Sequence, residues 1–342
     1  MYTSPDSPRG ALLAQYVRAR ITNMKGIDIG LFDFDRHNAI YYFILNADED
    51  IYLRYGGRDV ESAVTYLDES SLSIALELGL EKHKLFTKGE AKPSAKPKPL
   101  FPRDIVSLNK EVVQENNCVE CHLIADFHAI DLEAAGKLSK PQDMYKSPDL
   151  KKIGIYLDIP RGLVIKKAPG LETGDLITNL NGIEVLTFAD LQYHLDKVDR
   201  QEKQIRLSVR RNDELLTVPI DLQPEWWVTD LTHRYWSVDP QLYFNAEALS
   251  ADEKKALKLP AGSFASRVTE VDINALLSEA HTLEEEDVII AVDEVQKDEL
   301  TQNITTYLKL NYQAGNSLTL DVLRNEKPLK LKVETGRQSY RK

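Results

Sequence analysis

The spacing of apolar positions changes along the chain and predicts a mixed succession of helices and strands. Residues 11–21 predict a helix that runs into a strand. Two runs of aromatic and β-branched residues, 39–45 and 51–55, flank a set of turn residues and predict a β-hairpin. Apolar residues then recur at helical spacing from Leu72 to Lys84. These patterns predict a small α/β region near the N-terminus.

A proline-rich segment follows this region. Residues 89–102 contain four prolines among lysines, which predicts a stiff linker of polyproline character. Residues 103–150 are polar and predicted to be helical. From Lys151 onward the pattern changes to short strands, glycine turns and two helices. The linker is therefore the clearest boundary in the sequence.

The part after Lys151 contains an internal repeat. Two blocks of sequence recur in the same order, and each pair encloses a stretch with helical periodicity. The blocks are 171–182 with 283–294 and 205–213 with 318–326, and the helical stretches are 187–198 and 300–310. Matched blocks at a nearly constant offset indicate a duplicated domain.

Composition narrows the classes of partner. The 342 residues carry 43 Lys and Arg against 54 Asp and Glu, a net charge of −11 spread along the chain. This charge disfavours nucleic acid and anionic membranes as partners, because both require a basic face. No apolar run is long enough for a transmembrane helix, and residues 1–10 show no signal-peptide pattern. The sequence as given therefore predicts a cytoplasmic protein.

The repeated units resemble the PDZ domain in its bacterial order, as in the high-temperature-requirement proteases. The matching motif is Leu-x-x-Gly-Asp followed by an Asn-Gly turn and an Asp-Leu helix. In the first copy it comprises Leu171, Gly174, Asp175, Ile177, Asn181, Gly182, Asp190 and Leu191. The resemblance implies that an extended peptide adds to an open strand edge beside a helix. No protease catalytic set accompanies these units, so no catalytic residue is predicted.

The resemblance also implies a peptide-binding groove in the first copy. The loop Ile153-Gly154-Ile155 would hold a terminal carboxylate, residues 162–166 would form the next strand, and the helix would close the groove. The predicted peptide-binding residues are Ile153, Gly154, Ile155, Gly162, Leu163, Val164, Leu191 and Leu195. The expected partners are protein or peptide C-termini, or extended segments.

The second copy departs from this pattern. Leu242-Tyr243-Phe244 stands where the glycine loop is expected, and Glu286 replaces the turn glycine. We therefore expect the second copy to be a packing partner. The alternative is that both copies are packing modules, docked on each other or on Trp226, Trp227 and Trp236.

The N-terminal region resembles the second half of a thioredoxin-like domain. The stretches 23–28, 31–35, 46–48 and 55–59 look like a bacterial family, including selenoproteins, that joins such a domain to PDZ repeats. In that family a redox pair lies upstream, and here it is missing. We therefore expect that the chain begins late, after an export signal, which would place the protein in the periplasm or cell envelope. The alternative is a short domain that keeps the scaffold without the redox chemistry.

A Cys-x-x-Cys-His motif carries the candidate cofactor chemistry. Cys118, Cys121 and His122 form the attachment signature of haem c, with Met144 as the candidate second axial ligand. His128 would point about 120° away from His122 on one helix and cannot reach the opposite face of the same haem. A zinc site of Cys118, Cys121 and His122 or His128 is one alternative. A bare dithiol is another.

The predicted fold class is therefore a multidomain α+β protein. It would combine a partial thioredoxin-like segment, a helical segment and two PDZ-like sandwich or barrel domains. The predicted regions are 1–88, the linker 89–102, the helical segment 103–150, the first PDZ-like domain 151–224, a Trp-rich connector 225–240 and the second PDZ-like domain 241–336.

The predicted function is a non-catalytic protein that binds polypeptide segments and carries a haem or thiol redox site. One alternative is a thiol-disulfide oxidoreductase whose redox motif lies upstream of this sequence. Another is a scaffold with neither an open groove nor a cofactor.

Overall fold

The computed structural model describes residues 4–91, 95–229, 236–277, 280–294 and 304–337. The chain forms two compact units, Met1–Arg234 and Tyr235–Lys342. Three predicted segments fall partly outside the described residues. They are the linker at 92–94, the connector at 230–235 and the second repeat helix at 300–303.

The first unit begins with a hairpin between two helices, as the apolar pattern predicts. Its elements are α1 (Pro8–Leu13), β1 (Tyr41–Leu45), β2 (Ile51–Gly56) and α2 (Glu69–Thr87). The strands pair antiparallel, and Tyr42 lies opposite Tyr55. Asp68 caps α2 by accepting hydrogen bonds from the first amides of the helix. The predicted hairpin and helix are confirmed as elements.

The strand predicted at the end of 11–21 is wrong. Helix α1 ends at Leu13. Residues 17–23 have no regular structure, and Val17 is fully exposed. β-Branched residues favour a strand only where a partner strand covers one face, and no described strand pairs with this segment.

The segment after the linker is helical, as predicted. It contains α3 (Val106–Leu108), which continues into one π-helical turn at Asn109–Val113, then α4 (Cys121–Ala134) and α5 (Lys140–Asp143). Helices α3 and α4 and the π-helical turn between them share a core with residues that precede the linker. That core comprises Met24, Ile29, Ile105, Leu108, Val112, Val119, Ile124 and Phe127.

The end of the predicted linker is packed rather than free. Asp28 Oδ1 accepts a hydrogen bond from the Leu100 amide at 3.0 Å, and the Ile29 amide donates to the Leu100 carbonyl at 2.7 Å. A Cβ on Gly30 would meet the Lys98 carbonyl at 2.7 Å. Residues 98–100 therefore run against the N-terminal region as an extended segment.

The first repeat follows in the same unit as two antiparallel sheets and one helix. The elements are β3 (Tyr156–Leu157), β4 (Ile165–Lys167), β5 (Leu176–Leu180), β6 (Ile183–Glu184), α6 (Phe188–Asp196), β7 (Gln204–Arg211) and β8 (Glu214–Asp221). One sheet pairs β3 with β4, and the other has the order β6-β5-β7-β8. The strand predicted at 162–166 begins later, at Ile165, after a one-turn helix at Ile159–Arg161.

The second unit contains the second repeat. Its elements are β9 (Pro240–Gln241), β10 (Phe244–Ala248), α7 (Ala251–Ala256), β11 (Ser266–Val271), α8 (Ile273–Leu277), β12 (Val288–Val292), α9 (Ile304–Asn311), β13 (Ser317–Arg324), β14 (Lys327–Glu334) and β15 (Gly336–Arg337). A five-stranded sheet has the order β10-β11-β12-β13-β14, and β15 pairs with β9.

The two repeats reproduce the same ion-pair geometry. In the first, the Arg211 guanidinium donates to both oxygens of Asp175 at 2.8 and 2.7 Å. In the second, Arg324 binds Asp287 in the same way at 2.9 and 2.7 Å. Two bidentate forks at matched positions indicate that the aligned blocks fold alike.

The fold as a whole is mixed α/β with several small antiparallel sheets. In the described ranges none of these sheets closes into a barrel, so the barrel form predicted for the PDZ-like units is wrong. Among the helices of the described residues, none combines the length and apolar character that a membrane crossing requires.

Candidate polypeptide-binding site

Helix α6 of the first repeat is buried on more sides than one core can account for. Leu191 and Leu195 face the core of the repeat and are 1% and 0% exposed. Phe188 lies on the same face and is buried as well, while Ala189 and Gln192 are buried although they lie further round the helix. The additional burial comes from the N-terminal region, which lies across the helix.

The start of α6 binds both backbone groups of one residue in β2. The Asp190 carboxylate accepts a hydrogen bond from the Arg54 amide at 3.0 Å. The Thr187 hydroxyl donates to the Arg54 carbonyl, while the same oxygen caps α6 by accepting from the Asp190 amide. This pair of side chains therefore binds both backbone groups of Arg54, and the Asp190 carboxylate also lies 3.7 Å from the Arg54 guanidinium.

One turn further along, Gln192 does the same for a second residue. Its carboxamide donates to the Arg58 carbonyl at 2.8 Å and accepts from the Arg58 amide at 3.3 Å. The Gln192 amide group also donates to the Pro148 carbonyl at 3.3 Å. The carboxamide thus pairs with a peptide group much as a neighbouring strand would.

Close packing accompanies these hydrogen bonds. A Cβ on Gly57, which has φ +103°, would lie 2.6 Å from the Phe188 ring and 2.9 Å from Gln192. The Tyr66 ring stacks on Phe188 with centroids 3.2 Å apart. The Arg54 guanidinium lies 3.8 Å from the centroid of the Tyr193 ring, in cation–π geometry. The helix surface therefore requires a glycine at one position of the segment.

The covering segment also reaches the chain that leads into the predicted carboxylate loop. The Val60 amide donates to Asp149 at 3.3 Å. Lys151 forms ion pairs with Asp59 at 3.1 Å and Glu61 at 3.0 Å. Residues 57–61 therefore lie between α6 and residues 148–151. Helix α2 in turn lies against the one-turn helix at Ile159–Arg161, which follows β3.

Most of the predicted peptide-binding side chains are buried. Gly162 is half-buried, with φ +73°. The apolar ones are between 0% and 8% exposed: Ile153, Ile155, Leu163, Val164, Leu191 and Leu195. The peptide-binding role of these residues stays a prediction.

The loop at Gly154 has the backbone conformation expected of it but already uses its amides. Gly154 has φ +77°, which favours glycine. Its amide donates to the Lys151 carbonyl at 3.0 Å, and the Ile155 amide donates to the Leu150 carbonyl, also at 3.0 Å. A terminal carboxylate would have to displace these two hydrogen bonds to bind here.

Burial shifts the ionisation of two side chains on α6 in opposite directions. Burial raises the pKa of the Asp190 carboxyl to about 6, although Arg54 opposes the shift. Burial, together with the charges of Arg54 and Lys197, lowers the pKa of His194 to about 4. At neutral pH Asp190 is therefore a carboxylate and His194 a neutral imidazole.

Two of the residues that bind the segment were not predicted from the sequence. Thr187 carries the ordinary signature of a helix cap, and that role is present as well. Gln192 follows Phe188 by one helical turn, so both lie on one face of α6. The signal available in the sequence was Gln192, a polar residue on an otherwise apolar helix face.

The loop of the second repeat differs from that of the first. Tyr243 stands at the glycine position with φ +58°. Its hydroxyl lies where a Cβ on Gly336 would be, so the ring packs on the start of β15. The His281 ring lies 3.1 Å from the Leu242 carbonyl, and α9 packs directly against β10.

The Cys-x-x-Cys-His motif lies at the start of α4. Both thiols are free, Cys118 exposed and Cys121 half-buried. Burial raises the pKa of Cys121, and the nearby Arg36 opposes the shift. Val119 between them is 1% exposed and belongs to the core shared with the N-terminal region. The His122 side chain is 46% exposed.

The remaining candidate ligands differ in exposure. Met144 is 0% exposed. His128 is exposed on α4. The described ranges contain no group of three or more His, Cys, Asp or Glu side chains that could hold a metal ion. Haem and zinc remain predictions of the motif alone.

No protein-family model matches the chain. No curated protein matches it either, so the resemblance of 1–88 to a thioredoxin-like domain stays a prediction.

Similar solved structures include the HtrA-type protease AlgW with decapeptide, at 12% identity and a TM-score of 0.25 over 49% of this chain and 56% of that chain. Another is AlgW with tripeptide, at 12% identity and a TM-score of 0.26 over 53% and 64%. The match spans less than two thirds of either structure's chain.

Proposed function

We propose that this protein binds polypeptide segments, and that α6 of the first PDZ-like repeat is the element that holds them. One observation carries the proposal. Thr187 with Asp190, and Gln192 one turn later, bind both backbone groups of Arg54 and of Arg58. Backbone contacts of this kind accept an extended segment with little regard to its side chains.

The close contacts around α6 give the segment a side-chain preference. Phe188 leaves no room for a Cβ opposite it, so a glycine is required there. The Tyr193 ring is placed for a guanidinium ahead of that glycine. The favoured ligand is therefore a segment with arginine a few residues before a glycine of positive φ, as in Arg54-Tyr-Gly-Gly57.

In this proposal the second repeat has a packing role. Tyr243 fills the loop where a carboxylate would bind, and α9 lies directly on β10. A peptide strand needs about 4.8 Å of lateral space beside the strand that it joins. The contact between α9 and β10 leaves the second repeat without such a space.

The test uses a peptide of residues 54–66 and the full chain carrying Gly57→Ala, in which the chain's own segment is displaced from Phe188. Fluorescence anisotropy should show saturable binding of the labelled peptide. The same peptide N-methylated at Arg58 should bind about tenfold more weakly, because the methyl group replaces the Arg58 N–H that donates to Gln192.

The matched control peptide is N-methylated at Ala63, away from the backbone groups that α6 binds. It should bind like the unmodified peptide. Equal binding of the Arg58-methylated and unmodified peptides would contradict the proposal. So would a result in which none of the three peptides binds saturably.

A further inference from the structure

Residues 57–66 form a closed loop whose two ends are fastened together. The Tyr55 hydroxyl donates to the Asp68 carbonyl at 2.6 Å and accepts from the Asp68 amide at 3.0 Å. Tyr55 also belongs to the core between the hairpin and α2. The base of the loop is therefore held by the N-terminal region itself and not by α6.

The loop also holds its own shape. Asp59 Oδ1 accepts hydrogen bonds from the amides of Glu61 and Ser62 at 2.9 and 2.8 Å, and from the Thr65 hydroxyl at 2.9 Å. These bonds lie within the loop, so they survive when the loop leaves α6. A loop that is ordered before it docks loses little conformational entropy on binding.

The contacts that join the loop to α6 are few, and another segment could reproduce them. They are the Gln192 hydrogen bonds, the Tyr66–Phe188 stack and the fit of Gly57, whereas the Arg54 contacts belong to β2, ahead of the loop. At the other side, Lys151 binds Asp59 and Glu61, and the Lys151 side chain is 28% exposed. The Glu61 side chain is 72% exposed, so the Lys151–Glu61 pair is weak and screened by salt, whereas the Asp59 side chain is buried.

We infer that residues 57–66 are an intramolecular ligand that covers Phe188 and Gln192 of the first repeat, so that an external segment binds this part of α6 only after the loop has left. The inference rests on the proposed function. A tethered segment acts at an effective concentration of roughly millimolar or higher. An external peptide must compete with it, which reduces the apparent affinity by the fraction of chains that are open.

The experiment compares four full-length proteins, using the labelled peptide of residues 54–66 as the probe. Gly57→Ala places a Cβ against Phe188, and Tyr66→Ala removes the ring that stacks on Phe188. Gly89→Ala is the matched control, because Gly89 also has positive φ, +73°, but no atom lies within 4 Å of its Cβ position. The fourth protein is the unchanged chain.

The peptide should bind Gly57→Ala and Tyr66→Ala at least tenfold more tightly than the unchanged chain or Gly89→Ala. Hydrogen exchange of the amides of α6 should be faster in the same two variants, while that of β7 and β8 stays unchanged. Gly57→Ala introduces backbone strain and could prevent folding. Tyr66→Ala does not introduce that strain, so it tests the inference independently.

Two results overturn the inference. If the unchanged chain binds the peptide as tightly as the variants do, the loop is not a competitor, although the proposed function stands. If neither variant binds the peptide and α6 keeps its protection, the loop is a fixed part of the fold and the proposed function fails as well.

Discussion

Glu286 shows how a single residue can keep a turn that its type does not favour. It occupies the position of Gly174 in the first repeat, and it has φ +73° where Gly174 has φ +100°. The backbone bonds agree as well, because the Gly174 amide donates to Ile165 and the Glu286 amide to Val268. The replacement was visible in the sequence, but only the backbone bonds show that the turn persists under strain.

At this position glycine should be more stabilising than alanine. Both Glu286→Gly and Glu286→Ala remove the ion pair with Arg267, so the comparison isolates the backbone. Because Ala keeps the strained positive φ, we expect Glu286→Gly to have a free energy of unfolding about 1 kcal/mol higher than Glu286→Ala. Chemical denaturation of both variants measures the difference.

Glu285 supplies the control for that comparison. It is exposed and does not have positive φ. There the usual order should hold, with Glu285→Ala more stable than Glu285→Gly. Alanine more stable than glycine at both positions would show that Glu286 is not strained.

At the scale of elements, Asp190 and His194 on α6 have pKa values that burial shifts in opposite directions, so their effects on stability are opposite. The pKa of Asp190 is raised from 3.8 to about 6 in the fold, so its contribution to stability falls as pH rises between these values. The pKa of His194 is lowered from 6.5 to about 4, so stability falls as pH decreases through that window. The two trends partly cancel between pH 4 and 6.

Removing either group should expose the trend of the other. Relative to the unchanged chain, Asp190→Asn should gain stability as pH rises from 4 to 6. His194→Gln should gain stability as pH falls from 6.5 to 4. Free energies of unfolding from urea titrations across this range measure both effects. Identical pH profiles for the three proteins would contradict the burial of these groups.

The elements themselves were largely predictable where periodicity is strong. The hairpin β1–β2, helix α2 and helix α6 follow from apolar spacing and turn residues. The strand expected before Thr22 does not form, because Val17 and Ile21 have strand-forming side chains but no partner strand among the described residues. Whether a partner strand exists is a property of the fold rather than of the local sequence.

At the scale of the whole molecule, the contacts that define the site could not be read from the sequence. Arg54 and Asp190 are separated by 136 positions, and Arg58 and Gln192 by 134. Local patterns carry no information on pairs so far apart. The repeat indicated which helix would flank a groove, but not that residues 54–60 would lie on it.

The packing of the first unit predicts that its N-terminal region stays attached after the linker is cut. Residues 24–29 share a core with α3 and α4, and Gln192 binds Arg58. With a specific protease site inserted after Ala91, the cleaved pieces should co-elute in size-exclusion chromatography. They should separate only in denaturant. Separate elution of the 1–91 piece in native buffer would contradict this packing.

The central claim is that α6 holds a polypeptide segment that another segment can replace. Spin labels are attached at Val64 and Ile183, both about half exposed, in a protein with Cys118 and Cys121 changed to Ser. Pulsed electron paramagnetic resonance then measures the distance between the loop and the first repeat. Alone, the protein should give one short-distance population. Saturating peptide of residues 54–66 should convert it to a longer one. A distribution unchanged by the peptide would contradict the account.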